Sequence, residues 1–248
     1  MINGIINVYK QKGYTSFDVC AVMRGILGQR KVGHTGTLDP DAEGVLPVCV
    51  GNATKLCDML TDKSKEYVAT FVLGLKTDTL DITGTVLEEK TPTVSEADLR
   101  DAINSFIGGY EQFPPMYSAK KINGKKLVDI ARSGKEVERK AIFVEIKDIE
   151  TMDISYPYVT IRVSCGKGTY IRSLCEDIGK KCGELACMTS LKRTRVGNFT
   201  VDKALTLDEI TALRDSGNLL SAVTSTDFAF MDYKEATVLP DFRKLLEN

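Results

Sequence analysis

The chain reads as an α+β protein, a mixed sheet with helices on its faces. Strand-like and helix-like hydrophobic periods both recur along it, yet they do not alternate in the order of a doubly wound sheet. The helical segments carry their own start and stop signals, and no internal repeat is evident.

In order, Gly4 to Tyr9 (GIINVY) forms a short apolar strand ending at Lys10, and Gly13 turns the chain. Thr15 and Asp18 have capping-box spacing. Phe17, Val19, Cys20, Met23, Ile26 and Leu27 then mark the buried side of a helix that Gly28 ends. After a glycine-rich loop, Val45 to Val50 is a buried strand that leads into a helix from Ala53 to Leu60. Tyr67 to Gly74 and Gly84 to Glu88 are strands, separated by an acidic, threonine-rich loop holding Asp78 and Asp81. Ser95 and Asp98 make a second capping box, with Leu99, Ala102, Ile103, Phe106 and Ile107 at helical spacing and Gly108-Gly109 as the stop.

Tyr110 to Lys140 differs in character. Pro114-Pro115 precede a basic run in which Leu127, Ile130 and Ala131 suit one short helix, the rest being a mobile arm. Ile142 to Ile149 and Tyr158 to Cys165 alternate as strands. After the CGKGT turn a helix runs from Tyr170 to Lys181, with Ile171, Leu174, Cys175 and Ile178 inward. That turn lacks the G-x-x-x-x-G-K-[ST] spacing of a phosphate loop. Thr206 and Glu209 cap a last helix through Leu213, and the remainder shows no clear pattern.

The 248 residues are 43% hydrophobic and 27% charged, ordinary for a soluble globular chain. No signal core and no membrane-length apolar run is present, so membrane spanning and export are not expected and the expected compartment is the cytoplasm. The seven cysteines are odd in number and lack any C-x-x-C, which indicates reduced packing thiols. One histidine excludes a His-rich zinc site, although a mixed thiolate site between Cys175 and Cys187 stays open. A net charge of −1 speaks against a polyanionic partner, but its distribution does not. Tyr117 to Lys140 holds eight basic and three acidic residues, and a basic segment on a neutral protein can follow a phosphate backbone.

The stretch from Gly33 to Gly51 (GHTGTLDPDAEGVLPVCVG) has the look of a mount for one acid. Pro40 pushes Asp39 out of the α region into an extended loop, which displays the carboxylate. Residues with catalytic potential are Asp39, the sole histidine His34, Tyr67, Tyr170 and Arg172, drawn from three separated segments.

From Gly33 to Lys55 the pattern G-H-T-G-T-L-D-P-x-A-x-G-V-L-P-V-C-x-G-x-A-T-K resembles the signature of the TruB family, the bacterial tRNA pseudouridine-55 synthases. Further matches follow in the family's order: Asn3-Gly4 with Lys10, Lys65-Glu66-Tyr67, Thr77-Asp78-Thr79 with Asp81 and Gly84, Pro115 to Ala119, Gly124 to Leu127, Cys165 to Arg172 (CGKGTYIR), and Leu191-Lys192-Arg193. The resemblance implies the pseudouridine synthase fold, a mixed, largely antiparallel central sheet flanked by helices, with a basic arm at 109–140 that closes over RNA. It implies isomerisation of a T-loop uridine of tRNA, with no cofactor and no metal. By position Asp39 matches the family's nucleophile, and a guanidinium beside it would keep it ionised, which makes Arg172 its natural partner. Attack at C1′, attack at C6 and removal of a C2′ proton all stay open.

Tyr67 matches the tyrosine stacked on the target base, Tyr170 closes the pocket, and Leu191 matches a substrate-contacting leucine. His34 matches the histidine that meets the opened loop, consistent with base flipping. Lys10 and Asp81 match positions that support the aspartate and its arginine. The partner implied is the T-arm and elbow of tRNA, bound by a monomer without an obligatory protein partner or membrane. Two departures stand out: Gln11 replaces a usual proline, and the chain stops at Asn248 where the family continues into a PUA domain. The expected organisation is a catalytic domain over 1–225 and a C-terminal remnant, or the start of a PUA-like domain, over 226–248. The competing classes are a non-catalytic tRNA-binding and folding module, and a metal-dependent phosphoryl-transfer or hydrolytic enzyme using Asp39, Asp78 and Asp81.

Overall fold

The computed structural model describes residues 1–234 and 237. The N-terminal part runs β1 (Gly4–Lys10), α1 (Ser16–Leu27), β2 (Val32–His34), β3 (Glu43–Val50), α2 (Cys57–Thr61), β4 (Lys65–Leu73), β5 (Leu75–Thr77), β6 (Val86–Glu89) and α3 (Glu96–Asn104). The arm holds β7 (Tyr110–Gln112), β8 (Lys121–Ile122), β9 (Lys125–Lys126) and α4 (Leu127–Arg132). Then come β10 (Ile142–Val144), β11 (Ile146–Ser155), β12 (Tyr158–Cys165), α5 (Ile171–Lys181), β13 (Ala186–Val196), β14 (Phe199–Thr200), α6 (Leu207–Asp215) and β15 (Val223–Thr224).

A nine-stranded sheet, ordered β11-β12-β4-β13-β3-β1-β15 with β14 on β13 and β2 on β3, forms the centre. Its pairings are antiparallel except β13 against β3, so the expected mixed, largely antiparallel architecture is the one found. The period-two pattern of β12 explains one face: Val159, Ile161, Val163 and Cys165 are fully buried beneath α3 and α5. On the other half of the sheet, Ile6, Val8, Leu46 and Val48 pack under α1 and α6. The opposite side of that half buries Ile5, Val45 and Cys49 with Leu60 and Phe199. Thr15 and Thr206 both close complete capping boxes, and Ser95 accepts from the Asp98 amide.

Several expectations are corrected. Residues 53–60 are not one helix: a tighter turn over Gly51–Leu56 precedes α2. The single strand expected over 142–149 divides into β10, which pairs with β7, and β11 in the main sheet. Phe17 is 66% exposed and not on the buried side of α1, and Ile107 lies beyond the end of α3 and is exposed. The largest omission is β13, an interior strand. Its bulges between Met188 and Ser190 and between Arg193 and Arg195 break the alternation that marks a strand, and its middle is polar. The arm between Pro114 and Lys140 carries the β8–β9 hairpin and α4, whose Leu127 is fully buried. Most of the segment expected to open a further domain lies outside the described residues.

At one position the meeting of β13 and β3 depends on glycine. Arg193 pairs with Gly44, and a Cβ on Gly44 would stand 2.2 Å from the Arg193 carbonyl oxygen, at a φ of +109°.

Candidate active site

The loop ending in Asp39 is pinned from several sides. The Ser16 hydroxyl, at the start of α1, accepts from the Leu38 amide at 2.9 Å, while the Asp39 carbonyl accepts from the Ala42 amide at 3.1 Å. Pro40 offers its carbonyl to the Gly13 amide at 3.0 Å and to Lys10 Nζ at 3.0 Å. Lys10 is fully buried, and burial lowers its pKa to about 8, with Asp39 pulling the other way. These bonds fix the backbone on both sides of Asp39 and leave its side chain 40% exposed.

Arg172 reaches that carboxylate from α5. Its Nε lies 3.0 Å from Asp39 Oδ2 and its Nη1 3.3 Å from Asp81 Oδ2. Nη1 also donates to the Thr79 carbonyl at 2.9 Å and Nη2 to the Tyr117 carbonyl at 2.8 Å, so the fork is used on every nitrogen. Asp81 is fixed in turn, its Oδ1 accepting from the hydroxyls of Thr79 at 2.8 Å and Thr83 at 2.6 Å. The start of α5 is held without a side-chain cap of its own. The buried Gln112 side chain accepts from the Tyr170 amide at 2.8 Å and donates to the Tyr170 carbonyl at 3.0 Å.

The electrostatics refine the simple picture of an aspartate held far down by a cation. Burial pushes Asp39 above the ordinary aspartate value, the Arg172 guanidinium opposes that push, and Asp81 adds to it. Desolvation wins in sign. The ion pair at 3.0 Å is nevertheless what holds the carboxylate in its charged form and aims it.

Asp39, Arg172 and Leu191 line two adjoining cavities. One, of about 310 Å³, also takes in Tyr67, Tyr170 and Lys65. The other, of about 360 Å³, runs past Asp81 toward Tyr117 and Arg132 of the arm. Asp39, Tyr67, Tyr170, Arg172 and Leu191 are therefore brought together, Asp81 lines the second cavity, and Lys10 acts on Asp39 through the backbone of Pro40. His34 lines neither cavity. It sits on β2 with its ring at right angles to that of Phe17, centroids 5.1 Å apart, and burial lowers its pKa.

Two residues escaped the sequence reading. Arg193, 1% exposed, donates from Nε to the Val45 carbonyl at 2.7 Å, with longer contacts from Nη1 to the Thr37 carbonyl at 3.4 Å and from Nη2 to the Gly36 carbonyl at 3.3 Å. Lys65, on the same strand as Tyr67, is 6% exposed, and burial lowers its pKa to about 8. Both stand in segments that match the family pattern, Lys65-Glu66-Tyr67 and Leu191-Lys192-Arg193, and that was the signal available.

The metal reading does not fit this geometry. The space between Asp39 and Asp81 is taken by a guanidinium, and Asp78 is engaged by the Thr85 amide at 2.7 Å and the Tyr117 hydroxyl at 3.3 Å. No group of three or more metal-ligating side chains occurs among the described residues, Cys175, Cys182 and Cys187 included.

Comparison with known proteins gives the same direction. The family model for the N-terminal domain of TruB family pseudouridylate synthases matches residues 24–171, and that for the tRNA pseudouridylate synthase B C-terminal domain matches 172–229. A protein named tRNA pseudouridine synthase B from Lachnoclostridium phytofermentans is 51% identical over 257 aligned residues, spanning 100% of this chain and 83% of the relative. The protein of the same name from Clostridium tetani is 45% identical, over 100% of this chain and 84% of the relative. Among solved structures, a Cbf5-Nop10-Gar1 complex contains a chain 31% identical with a TM-score of 0.73, covering 91% of this chain and 61% of that one. On the family models and the 51% identity across the given chain together, the chain belongs to the TruB family of pseudouridylate synthases.

Proposed function

We propose that this enzyme converts the uridine at position 55 in the T-loop of tRNA to pseudouridine, with Asp39 as nucleophile and the uridine flipped out of its stack. The observation that carries this reading is the Asp39 carboxylate, 3.0 Å from Arg172 Nε, lining two adjoining cavities that share Leu191, one of them walled by Tyr67 and Tyr170. The relatives' name supports tRNA as the substrate.

The chemistry follows from the placement. The uridine enters the cavity of about 310 Å³, where the Tyr67 ring lies along the base and Leu191 supplies the apolar contact. Arg172 holds Asp39 charged by pairing with its Oδ2 while the residue lines the cleft, so the acid meets the nucleoside without a separate activating base. The N-glycosidic bond to N1 breaks, the uracil turns while held by Tyr67 and Tyr170, and a bond from C5 to C1′ forms. The Tyr67 hydroxyl, whose pKa burial raises, is protonated at neutral pH; it can give its proton to N1 of the detached uracil, and the phenolate so formed can take the proton that leaves C5. Lys10 and Asp81 position Asp39 and Arg172. The basic arm closes on the phosphate backbone from the side of Arg132. The enzyme acts as a monomer in the cytoplasm, without an obligatory protein partner.

Incubation of the protein with an unmodified tRNA transcript, followed by mapping of isomerised positions, tests the reading. Pseudouridine at the T-loop position alone supports it, and modification elsewhere or none at all contradicts it.

A further inference from the structure

Phe17 is 66% exposed, on the face of α1 that turns away from the core. A single apolar side chain in water is ordinary, but three features set this one apart. Its neighbour Ser16 is clamped to Leu38, the residue before Asp39, so Phe17 is fixed to the lip of the cleft and does not sit on a free helix end. The surrounding surface from Gln11 to Asp18 is exposed apart from Ser16, and the Gly13 amide and Lys10 tie it to the Pro40 carbonyl. Finally, the rings of Phe17 and His34 stand at 87° with centroids 5.1 Å apart, a corner of two flat rings beside the site and outside both of its cavities.

We propose that Phe17 is a stacking platform for a nucleobase of the substrate RNA that loses its neighbour when the target uridine turns into the cleft, with His34 as the wall at right angles to it. This rests on the function proposed above. Extruding one nucleotide leaves adjoining bases unstacked, and an aromatic face at the lip restores that contact. Every base has a π-face, so such a platform tolerates sequence and acts on affinity for the opened RNA. His34 suits the wall because burial lowers its pKa, which leaves a neutral ring.

The test uses the full chain with a synthetic T-arm stem-loop under single-turnover conditions, comparing wild type with Phe17→Ala, Phe17→Leu and Phe17→Trp. Stacking on one base is worth roughly a tenfold to hundredfold change in affinity, so Phe17→Ala raises the half-saturating enzyme concentration by that factor. The maximal rate changes far less. Phe17→Trp restores affinity and Phe17→Leu does not. The loss persists in a His34→Ala background. A 2-aminopurine placed beside the target uridine is quenched by wild type and brighter with Phe17→Ala. Affinity within twofold of wild type for Phe17→Ala, full rescue by Phe17→Leu, or no further loss in the His34→Ala background overturns the platform. If wild type forms no pseudouridine in the stem-loop, the failure belongs to the proposed function and not to Phe17.

Discussion

Tyr67 on β4 and Arg193 on β13 are registered partners across the sheet, and the guanidinium of Arg193 contacts carbonyls at Gly36 and Thr37, three and two residues before Asp39. One buried cation thus ties the strand that carries Tyr67 to the loop that carries Asp39. Replacing its fork with a point charge loses part of that geometry. Arg193→Lys is expected to lower the single-turnover rate by roughly tenfold to hundredfold with a smaller change in RNA affinity, the range for one or two charged hydrogen bonds. A loss confined to affinity would show that Arg193 does not align the two groups.

Arg172→Lys tests the ion pair itself. Nε, Nη1 and Nη2 engage separate partners, and an ammonium cannot span Asp39, Asp81 and the Tyr117 carbonyl together. The rate of pseudouridine formation is expected to fall by about a hundredfold or more, from the loss of charged contacts at about 1.5–3 kcal/mol each. A rate near wild type would dissociate Arg172 from the chemistry.

The acid limb of activity follows from the sign of the Asp39 shift. Burial raises its pKa above the ordinary 3.8, and the proposed nucleophile must be ionised, so activity is expected above the raised pKa and is lost as pH falls through it. Removing the opposing guanidinium in Arg172→Gln moves the inflection further up, toward neutral pH. A pH profile of the residual single-turnover rate reads this directly, and an unmoved or lowered inflection contradicts it.

Gly44→Ala places a methyl 2.2 Å from the Arg193 carbonyl in a backbone conformation that L-residues rarely adopt. The expected cost is roughly 1–3 kcal/mol of stability from strain and overpacking, measured by denaturant unfolding. Activity should fall as well, because the β3–β13 contact seats both Arg193 and the Asp39 loop. Unchanged stability would mean that the two strands separate there without penalty.

What the sequence reveals follows the range of the interactions. The capping boxes at Thr15 and Thr206 and the extended Asp39-Pro40 step are local, set within a few residues, and they were readable. The Asp39–Arg172 pair is distant in sequence, and it was reached through the family pattern joined to the chemical need for a cation. By contrast, β13 was hidden because two bulges put its polar and apolar residues out of phase. Arg193 was passed over because a lone arginine between a lysine and a threonine reads as surface, whereas the structure buries it against carbonyls. Phe17 failed the other way: its place in a helical apolar pattern suggested the core, yet α1 turns it outward.

Asp39→Asn provides the most direct measurement, since it keeps the shape of the side chain and removes its charge. The variant should bind tRNA with nearly wild-type affinity and form no detectable pseudouridine at the T-loop position, even with enzyme in excess over long incubation. Measurable turnover by a pure preparation would show that the Asp39 carboxylate is not the nucleophile.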